Sequence, residues 1–355
     1  MNLNDLVDNA RKQFASDIHL SSNHPPILRV NGEIRFLRVN PLTTEQVKEI
    51  IVNVMTDEQK ANFEKEWEID FAYSVEGLGR FRINAYHDNN GPAAAIRLIN
   101  SEILTLEQVK APKVMEKIAA LHKGLILVTG PTGSGKTTTV AALIHYINKY
   151  FSKHILTVED PIEFVHKSDR CLINQREVGA HSRSFARALK SALREDPDII
   201  MVGEMRDLET IRLAMTAAET GHLVIGTLHT SSAPQTIDRI IDVFPPEEKA
   251  LIRVMLSNSI EAVITQQLIR TADEQSRVAA HEVLIANSGI RNLIREGKIP
   301  QIFSAMQVGG NLGMQLMKDS VTAHLNSGLI TKESAMLALN QGDDNAQQKR
   351  SDSIF

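Results

Sequence analysis

The run Gly130-Pro-Thr-Gly-Ser-Gly-Lys136-Thr137 constrains this chain more than any other feature. It fits the spacing G-x-x-x-x-G-K-[ST], and its surroundings fit as well. The apolar stretch Leu125–Thr129 leads into it, and Thr138-Thr-Val-Ala-Ala-Leu143 opens a helix behind it. Glycines let successive backbone N–H groups turn toward one point, where the helix N-terminus adds its positive end. Gly130, Pro131, Thr132, Gly133, Ser134, Gly135, Lys136, Thr137 and Thr138 therefore read as a phosphate cradle. Lys136 is expected to reach the β- and γ-phosphates of a nucleotide, and the Thr137 hydroxyl to ligate Mg²⁺.

Around this loop, strands and helices alternate. Leu125–Thr129, His154–Val158, Asp198–Gly203 and His222–Leu228 are apolar stretches separated by helical patterns. Alternation of this kind predicts an α/β core, a mostly parallel sheet covered on both faces. The helix expected over 207–220 has Asp207 as N-cap, Glu209 in its first turn and Gly221 past its end. From about Glu247 onward the pattern reads as largely helical, and 341–355 reads as a polar, disordered tail.

In such sheets, ligands bind beyond the carboxyl ends of the strands. The strand from His154 ends in Glu159-Asp-Pro-Ile-Glu163, Asp198–Gly203 ends in Glu204, and the strand from His222 ends in His229. Glu204 is placed to hold Mg²⁺ through water or to polarise an attacking water. Glu159 and Glu163 are candidates for the same work, and His222 and His229 for sensing the γ-phosphate. Each residue alone reads equally well as a cap or a surface charge. Together they point to a hydrolytic site.

The first hundred residues predict a small α+β domain. Leu3, Leu6, Val7, Ala10 and Phe14 recur at helical spacing. Asp17–Leu20 reads as a strand, and Ile27–Leu37 as a hairpin around Asn31-Gly32. A two-residue loop would pair Val30 with Glu33 and split the apolar faces. A longer or bulged loop that sets Val30 opposite Ile34 is therefore expected. A helix over 44–53 follows, then strands over 80–86 and 93–98. In the first of these, Phe81, Ile83 and Ala85 alternate with Arg80, Arg82 and Asn84, giving one apolar and one basic face. Residues 1–99 are assigned to this domain, 100–115 to a linker closing with Ala111-Pro112, and 116–340 to the larger domain. P-loop hydrolases often draw an arginine from a neighbouring subunit, so Arg80, Arg82 and Arg97 are noted as candidates.

A chain of 355 residues is long enough for two such cores. Its 39 Lys+Arg against 43 Asp+Glu leave a net charge of −4, which disfavours a protein built to grip nucleic acid. The lone Cys171 excludes an internal disulfide and any multi-cysteine zinc or iron–sulfur site, and it suits a reducing compartment. No stretch approaches the ~18–20 apolar residues that span a bilayer. The start lacks the basic region of a signal peptide. A soluble, cytoplasmic protein is expected.

Longer runs add a resemblance. Ile155-Leu-Thr-Val-Glu-Asp-Pro-Ile-Glu-Phe-Val-His166, together with the Gly130 loop, resembles the type II/IV secretion ATPase superfamily. Ala192-Leu-Arg-Glu-Asp-Pro-Asp-Ile-Ile-Met-Val-Gly-Glu-Met-Arg-Asp-Leu-Glu-Thr-Ile-Arg212 and Thr216-Ala-Ala-Glu-Thr-Gly-His-Leu-Val-Ile-Gly-Thr-Leu-His-Thr230 are similar to its pilus retraction branch. The resemblance runs from Ser16-Asp-Ile-His-Leu20 to about residue 340. It implies a RecA-like P-loop NTPase core with a smaller PAS-like N-terminal domain. It also implies a homohexameric motor at the cytoplasmic face of the inner membrane. That motor would hydrolyse ATP, with Mg²⁺, to retract type IV pili for twitching motility, DNA uptake or adhesion.

By matching motif, the resemblance makes Glu163 and Glu204 the leading catalytic carboxylates and His222 and His229 the paired histidines. It makes Arg82 and Arg97 the arginines that approach the phosphates, with Arg277 as a further candidate. Gly289-Ile-Arg-Asn-Leu-Ile-Arg-Glu296 resembles a segment linked to retraction. There Ile290, Leu293 and Ile294 form an apolar stripe beside Asn292, and Arg291 and Arg295 share another face. Gly289 stands where the family usually has Ala. The implied partners are an inner-membrane platform protein and a companion ATPase of the PilU type, with no nucleic acid and no direct membrane insertion. A four-cysteine zinc segment, common in the assembly ATPases of the superfamily, is missing. The remaining alternatives are the companion ATPase itself and, from another class, a RecA-like nucleic-acid translocase.

Overall fold

The computed structural model describes residues 2–13, 15–30, 32–75, 79–99 and 103–340. The tail assigned to 341–355, residues 100–102 of the linker, Phe14 of the first apolar stripe and Asn31 of the hairpin lie outside them. The chain divides into two units: residues up to 102 with Glu163–Val165, and Ile103–Ile162 with the residues from His166 onward. No helix among the described residues is long and apolar enough to cross a membrane.

The first unit begins with α1 (Leu3–Lys12), opened by a capping box in which Asn2 and Asp5 each take the other's backbone N–H. Next come β1 (Ala15–Ser21), β2 (Ile27–Val30), β3 (Glu33–Phe36), α2 (Thr44–Val52), α3 (Asp57–Glu66), β4 (Glu68–Val75), β5 (Gly79–Asp88) and β6 (Gly91–Leu98). The strands form a six-stranded sheet in the order β3-β2-β1-β6-β5-β4, antiparallel throughout. Ile18, Leu28, Phe81, Ile83 and Ile96 pack with Leu6, Val7, Val47 and Ile51 from α1 and α2. The other face is charged. Asp17, Arg97 and Arg82 are register neighbours across β1, β6 and β5.

Two expectations change here. The hairpin loop is the strict two-residue one, because Val30 pairs with Glu33. A bulged loop is needed only if β3 presents an apolar face to the core. All four residues of β3 are instead exposed at the sheet edge, Ile34 and Phe36 included, so splitting the faces costs nothing. Helix α3 and strand β4 were not anticipated. Phe63 is the one buried residue of α3, so there is no periodic stripe to read, although its Thr56/Gln59 capping box is a visible start signal.

The second unit contains α4 (Val114–Ala119), β7 (Gly124–Thr129), α5 (Lys136–Tyr150), β8 (His154–Glu159), β9 (Leu172–Glu177), α6 (Phe185–Ala192) and β10 (Ile199–Val202). They are followed by α7 (Leu208–Glu219), β11 (Leu223–Leu228), α8 (Ala233–Asp242), α9 (Lys249–Ser259), β12 (Ile260–Arg270), β13 (Arg277–Ile285), α10 (Ser288–Arg295), α11 (Pro300–Gln307) and α12 (Met317–Asn326). The seven-stranded sheet runs β13-β12-β7-β11-β10-β8-β9. Every pairing is parallel except β12 with β13. The residues of β7, β10 and β11 are buried throughout, as expected of strands covered on both faces. One face packs against α6 to α10, and the other against α4 and α5. Leu106 and Met115, within the stretch assigned to the linker, are buried in that second core.

The stretch read as helical from Glu247 is corrected. Helix α9 leads straight into β12 and β13, which pair from Ala262↔Ile285 to Arg270↔Arg277. Buried on both faces between β7 and β13, β12 has no polar side to alternate with. Its composition therefore gives no two-residue period. Strand β9 was also missed, being a polar edge strand with mostly half-exposed residues.

Candidate functional site

The phosphate loop links β7 to α5, and its backbone is set by glycine. Gly130 has φ +142°, and a Cβ there would lie 2.2 Å from the carbonyl oxygen of Gln266. Gly135, at φ +86°, is the N-cap of α5, and no side chain caps that helix end. The first-turn N–H groups of α5 and its dipole are therefore offered to an anion. Lys136 is buried and donates to the carbonyl oxygens of Gly130 (2.8 Å) and Pro131 (3.0 Å). Its Nζ also lies 3.5 Å from His229 Nδ1. Thr137 and Thr138 are half-buried beside it in the same turn.

Glu204, just past β10, sits among nitrogen donors. His229 Nε2 is 3.0 Å from its Oε1, and Arg206 Nε is 2.5 Å from the same oxygen. Thr132 Oγ1 of the loop is 3.5 Å from His229 Nδ1. Burial pushes the Glu204 carboxyl up, but the Arg206 hydrogen bond and the charges of His229, Arg206 and Lys136 outweigh it. They hold the group below its ordinary value. Loop lysine, imidazole and carboxylate thus form one connected cluster at the carboxyl edge of the sheet.

Glu159 ends β8 at the same edge and is buried. It accepts from Thr157 Oγ1 (2.6 Å) and Gln175 Nε2 (3.0 Å). Glu163 is exposed and belongs with Phe164 and Val165 to the first unit. Arg82 and Arg97 are also on the first unit. Arg82 is bidentate on Asp70, with NH2–Oδ2 at 2.5 Å, and Arg97 Nε is 3.0 Å from Asp17 Oδ1. Arg277 opens β13 opposite Arg270.

His222 is not where the sequence reading put it. It precedes β11, whose other end leads to His229. Strand β11 is parallel to β7, with Leu223 beside Gly124 and Leu228 beside Thr129. Six residues of strand, about 20 Å, therefore separate the two histidines. The His222 carbonyl accepts from Gly124 N–H at 3.0 Å, and its Nδ1 is 3.1 Å from the Ala217 carbonyl oxygen.

The segment from Ile290 to Arg295 lies in α10, whose N-cap Asn287 accepts from Ile290 N–H. Ile290 and Ile294 are fully buried, and Leu293 packs against the same core. Arg291 donates to the carbonyls of Ser257 and Asn258 (both 3.0 Å) and to Glu261 Oε1 (2.7 Å). Arg295 reaches only to 3.5 Å from Asn258 Oδ1, while Asn292 is exposed. A Cβ at Gly289 would meet Asn287 Oδ1 at 3.3 Å, so the family's Ala asks only a small adjustment of the cap.

Sequence reasoning missed Arg206 and Gln266. Arg206 is two residues beyond Glu204, and that spacing was the available signal. Gln266 had none, because its place beside the loop comes from the pairing of β12 with β7. Among the described residues, no cluster of three or more His, Cys, Asp or Glu is arranged to hold a metal ion. The Thr137 hydroxyl and the Glu204 carboxylate are hard oxygen donors, and that set fits Mg²⁺ shared with phosphate oxygens.

A family model described as type II/IV secretion system protein matches residues 1–349. The Pseudomonas aeruginosa protein named "Type IV pilus retractation ATPase PilT" is 53% identical over 335 residues, 94% of this chain and 97% of that one. A Neisseria gonorrhoeae "Twitching motility protein" is 54% identical over 310 residues, 87% of this chain and 83% of that one. Among solved structures, the crystal structure of the pilus retraction motor PilT with bound ADP matches with a TM-score of 0.89 at 44% identity. That match covers 95% of this chain and 97% of that one.

Proposed function

Because this chain belongs to the type II/IV secretion system protein family, we propose that it hydrolyses ATP to drive retraction of type IV pili. The observation that carries the reading is the cluster of Lys136, His229 and Glu204 at the mouth of the phosphate loop. ATP lies with its phosphates on the N–H groups of Thr132–Thr138, and Lys136 turns from the loop carbonyls to the β- and γ-oxygens. Thr137 and Glu204 would hold Mg²⁺, which would supply neutralisation of phosphate charge. Glu204, kept ionised by its cationic neighbours, orients the attacking water. His229 links that carboxylate to the phosphates. Glu159 assists at the same edge, and Glu163 is a further carboxylate proposed for the same work. Arg82 and Arg97 bring positive charge from a PAS-like first unit. An arginine arriving in the transition state is worth about 10³–10⁵ in rate in P-loop enzymes.

The working assembly in this reading is a homohexamer at the cytoplasmic face of the inner membrane. It acts on a platform protein through α10 and is assisted by a companion ATPase of the PilU type. Deleting the gene tests the biological half: excess, non-retracting surface pili are expected. Loss of all pili would mean an assembly motor instead, and an unchanged pilus count would remove the pilus role.

A further inference from the structure

We propose that Gln266 is a positioning residue for the phosphate loop and that it ties the β12–β13 hairpin to nucleotide affinity. The proposal deepens the ATP-site reading of Gly130–Thr138 and rests on it.

The loop's glycines remove side chains that could lock it, and the internal backbone bond Ser134 N–H to Pro131 O is a long 3.2 Å. Lys136 ties down the carbonyls of Gly130 and Pro131, which leaves the Ser134 end of the loop to be held from outside. Gln266, 2% exposed on β12, supplies that hold through both ends of one amide. Its Nε2 donates to the Ser134 carbonyl at 2.6 Å, and its Oε1 accepts from Thr139 Oγ1 at 2.7 Å. One end thus grips the loop just before its last glycine, and the other grips the first turn of α5. The same residue limits the loop at two further points. Its carbonyl oxygen lies 2.2 Å from where a Gly130 Cβ would stand, and its Nε2 lies 2.8 Å from a Gly135 Cβ.

The chemistry demanded at this position is narrow. The side chain must donate to a carbonyl and accept from a hydroxyl about two bonds apart, without charge, in a buried place. A glutamine amide meets all of these demands. Leucine fills the space and makes neither bond. Glutamate keeps the shape but sets an acceptor against the Ser134 carbonyl, and it places a buried charge beside the phosphates. The register is fixed independently, because Thr265 Oγ1 and Thr129 Oγ1 are 2.9 Å apart on the neighbouring positions of β12 and β7. His281 is the cross-strand partner of Gln266 on β13. Burial pushes its pKa down to about 4, so it brings no charge to the amide near neutral pH. Lys136, at the start of α5, is the cation on the loop side.

The test is steady-state ATP hydrolysis by the purified full-length protein, with thermal melting as the folding control. Gln266→Leu is expected to raise KM for ATP about tenfold while changing kcat far less, the loss of two hydrogen bonds from the loop. Thr139→Val should raise KM by a smaller factor, Thr139→Ser should not, and adding Thr139→Val to Gln266→Leu should change little. Gln266→Glu should show a raised KM at pH 8 that falls toward wild type at pH 6, because the protonated side chain regains a donor. A folded Gln266→Leu with wild-type KM overturns the proposal. So does a Thr139→Val effect identical to that of Thr139→Ser, which also decides the matter if Gln266→Leu does not fold. Lys136→Ala separates the two layers. If it binds ATP normally, the ATP-site reading fails; if it loses binding while the Gln266 and Thr139 series is silent, only this inference fails.

Discussion

The two edges of the second unit's sheet carry similar residues and use them differently. At the carboxyl edge, His229 links the Glu204 carboxylate to the buried Lys136, and Glu204 and His229 remain partly open to solvent. At the amino edge, His222 and Arg291 are taken up by backbone, and Glu261 pairs with Arg291. The His222 ring faces the Ala217 carbonyl, and Arg291 closes the carbonyl end of α9 through Ser257 and Asn258. Glu261 packs so closely on the start of β7 that a Cβ at Gly124 would lie 2.3 Å from it. A polar side chain at a sheet edge thus becomes part of a site when its partners are other side chains that a ligand can replace. Where its partners are carbonyls at a helix end, as for His222 and Arg291, it is a cap; Lys136 differs because the carbonyls it holds belong to the phosphate loop itself.

The largest test of this contrast is Glu204→Gln. It keeps the size of the side chain and removes the charge that His229 and Arg206 surround. Turnover is expected to fall by about 10²–10³, with ATP binding retained, in single-turnover and equilibrium measurements. Unchanged turnover would reduce the carboxyl-edge cluster to a surface ion network. On the other edge, Arg291→Ala should act on stability. Removing the donor leaves α9 carbonyls and Glu261 without it, a loss of about 1–3 kcal/mol in denaturant unfolding. Turnover per folded molecule of the isolated protein should stay near wild type. A large loss of turnover at wild-type stability would mean that the amino edge works in catalysis after all.

How much of this was legible varies with how local each feature is. The phosphate loop was fully readable, because its function needs only consecutive backbone and one lysine fed by one strand. Glu204 and His229 followed from a rule about strand ends. The same rule, with strand direction respected, would have excluded His222, since β11 runs away from it. The hairpin β12–β13 was not legible, because burial on both faces erases the alternation that marks a strand. Gln266 was hidden for a related reason. Its partners Ser134 and Thr139 are more than a hundred positions away, and only the β7–β12 register brings them together. Edge strand β3 misled in the opposite sense, because its apolar residues face solvent.

The smallest expected effect concerns Arg206, the cation that sequence reasoning passed over. Its side chain is 77% exposed, so its bond to Glu204 is screened by solvent, yet it is the first of the influences that lower the Glu204 pKa. A carboxyl whose pKa is lower folded than unfolded contributes stability above its unfolded value. That stability disappears as pH falls through the folded one. In Arg206→Ala the upward push of burial meets less opposition, so the folded pKa rises toward the unfolded one, stability near neutral pH falls, and the acid-side loss becomes smaller with its end displaced to higher pH. Denaturant unfolding at closely spaced pH values below the neutral range should show this displacement. The displacement should shrink in high salt and vanish when Glu204→Gln is present in both proteins. Superimposable curves for Arg206→Ala and wild type would mean that His229 and Lys136 alone keep Glu204 ionised, confining the carboxyl-edge cluster to the loop and its histidine.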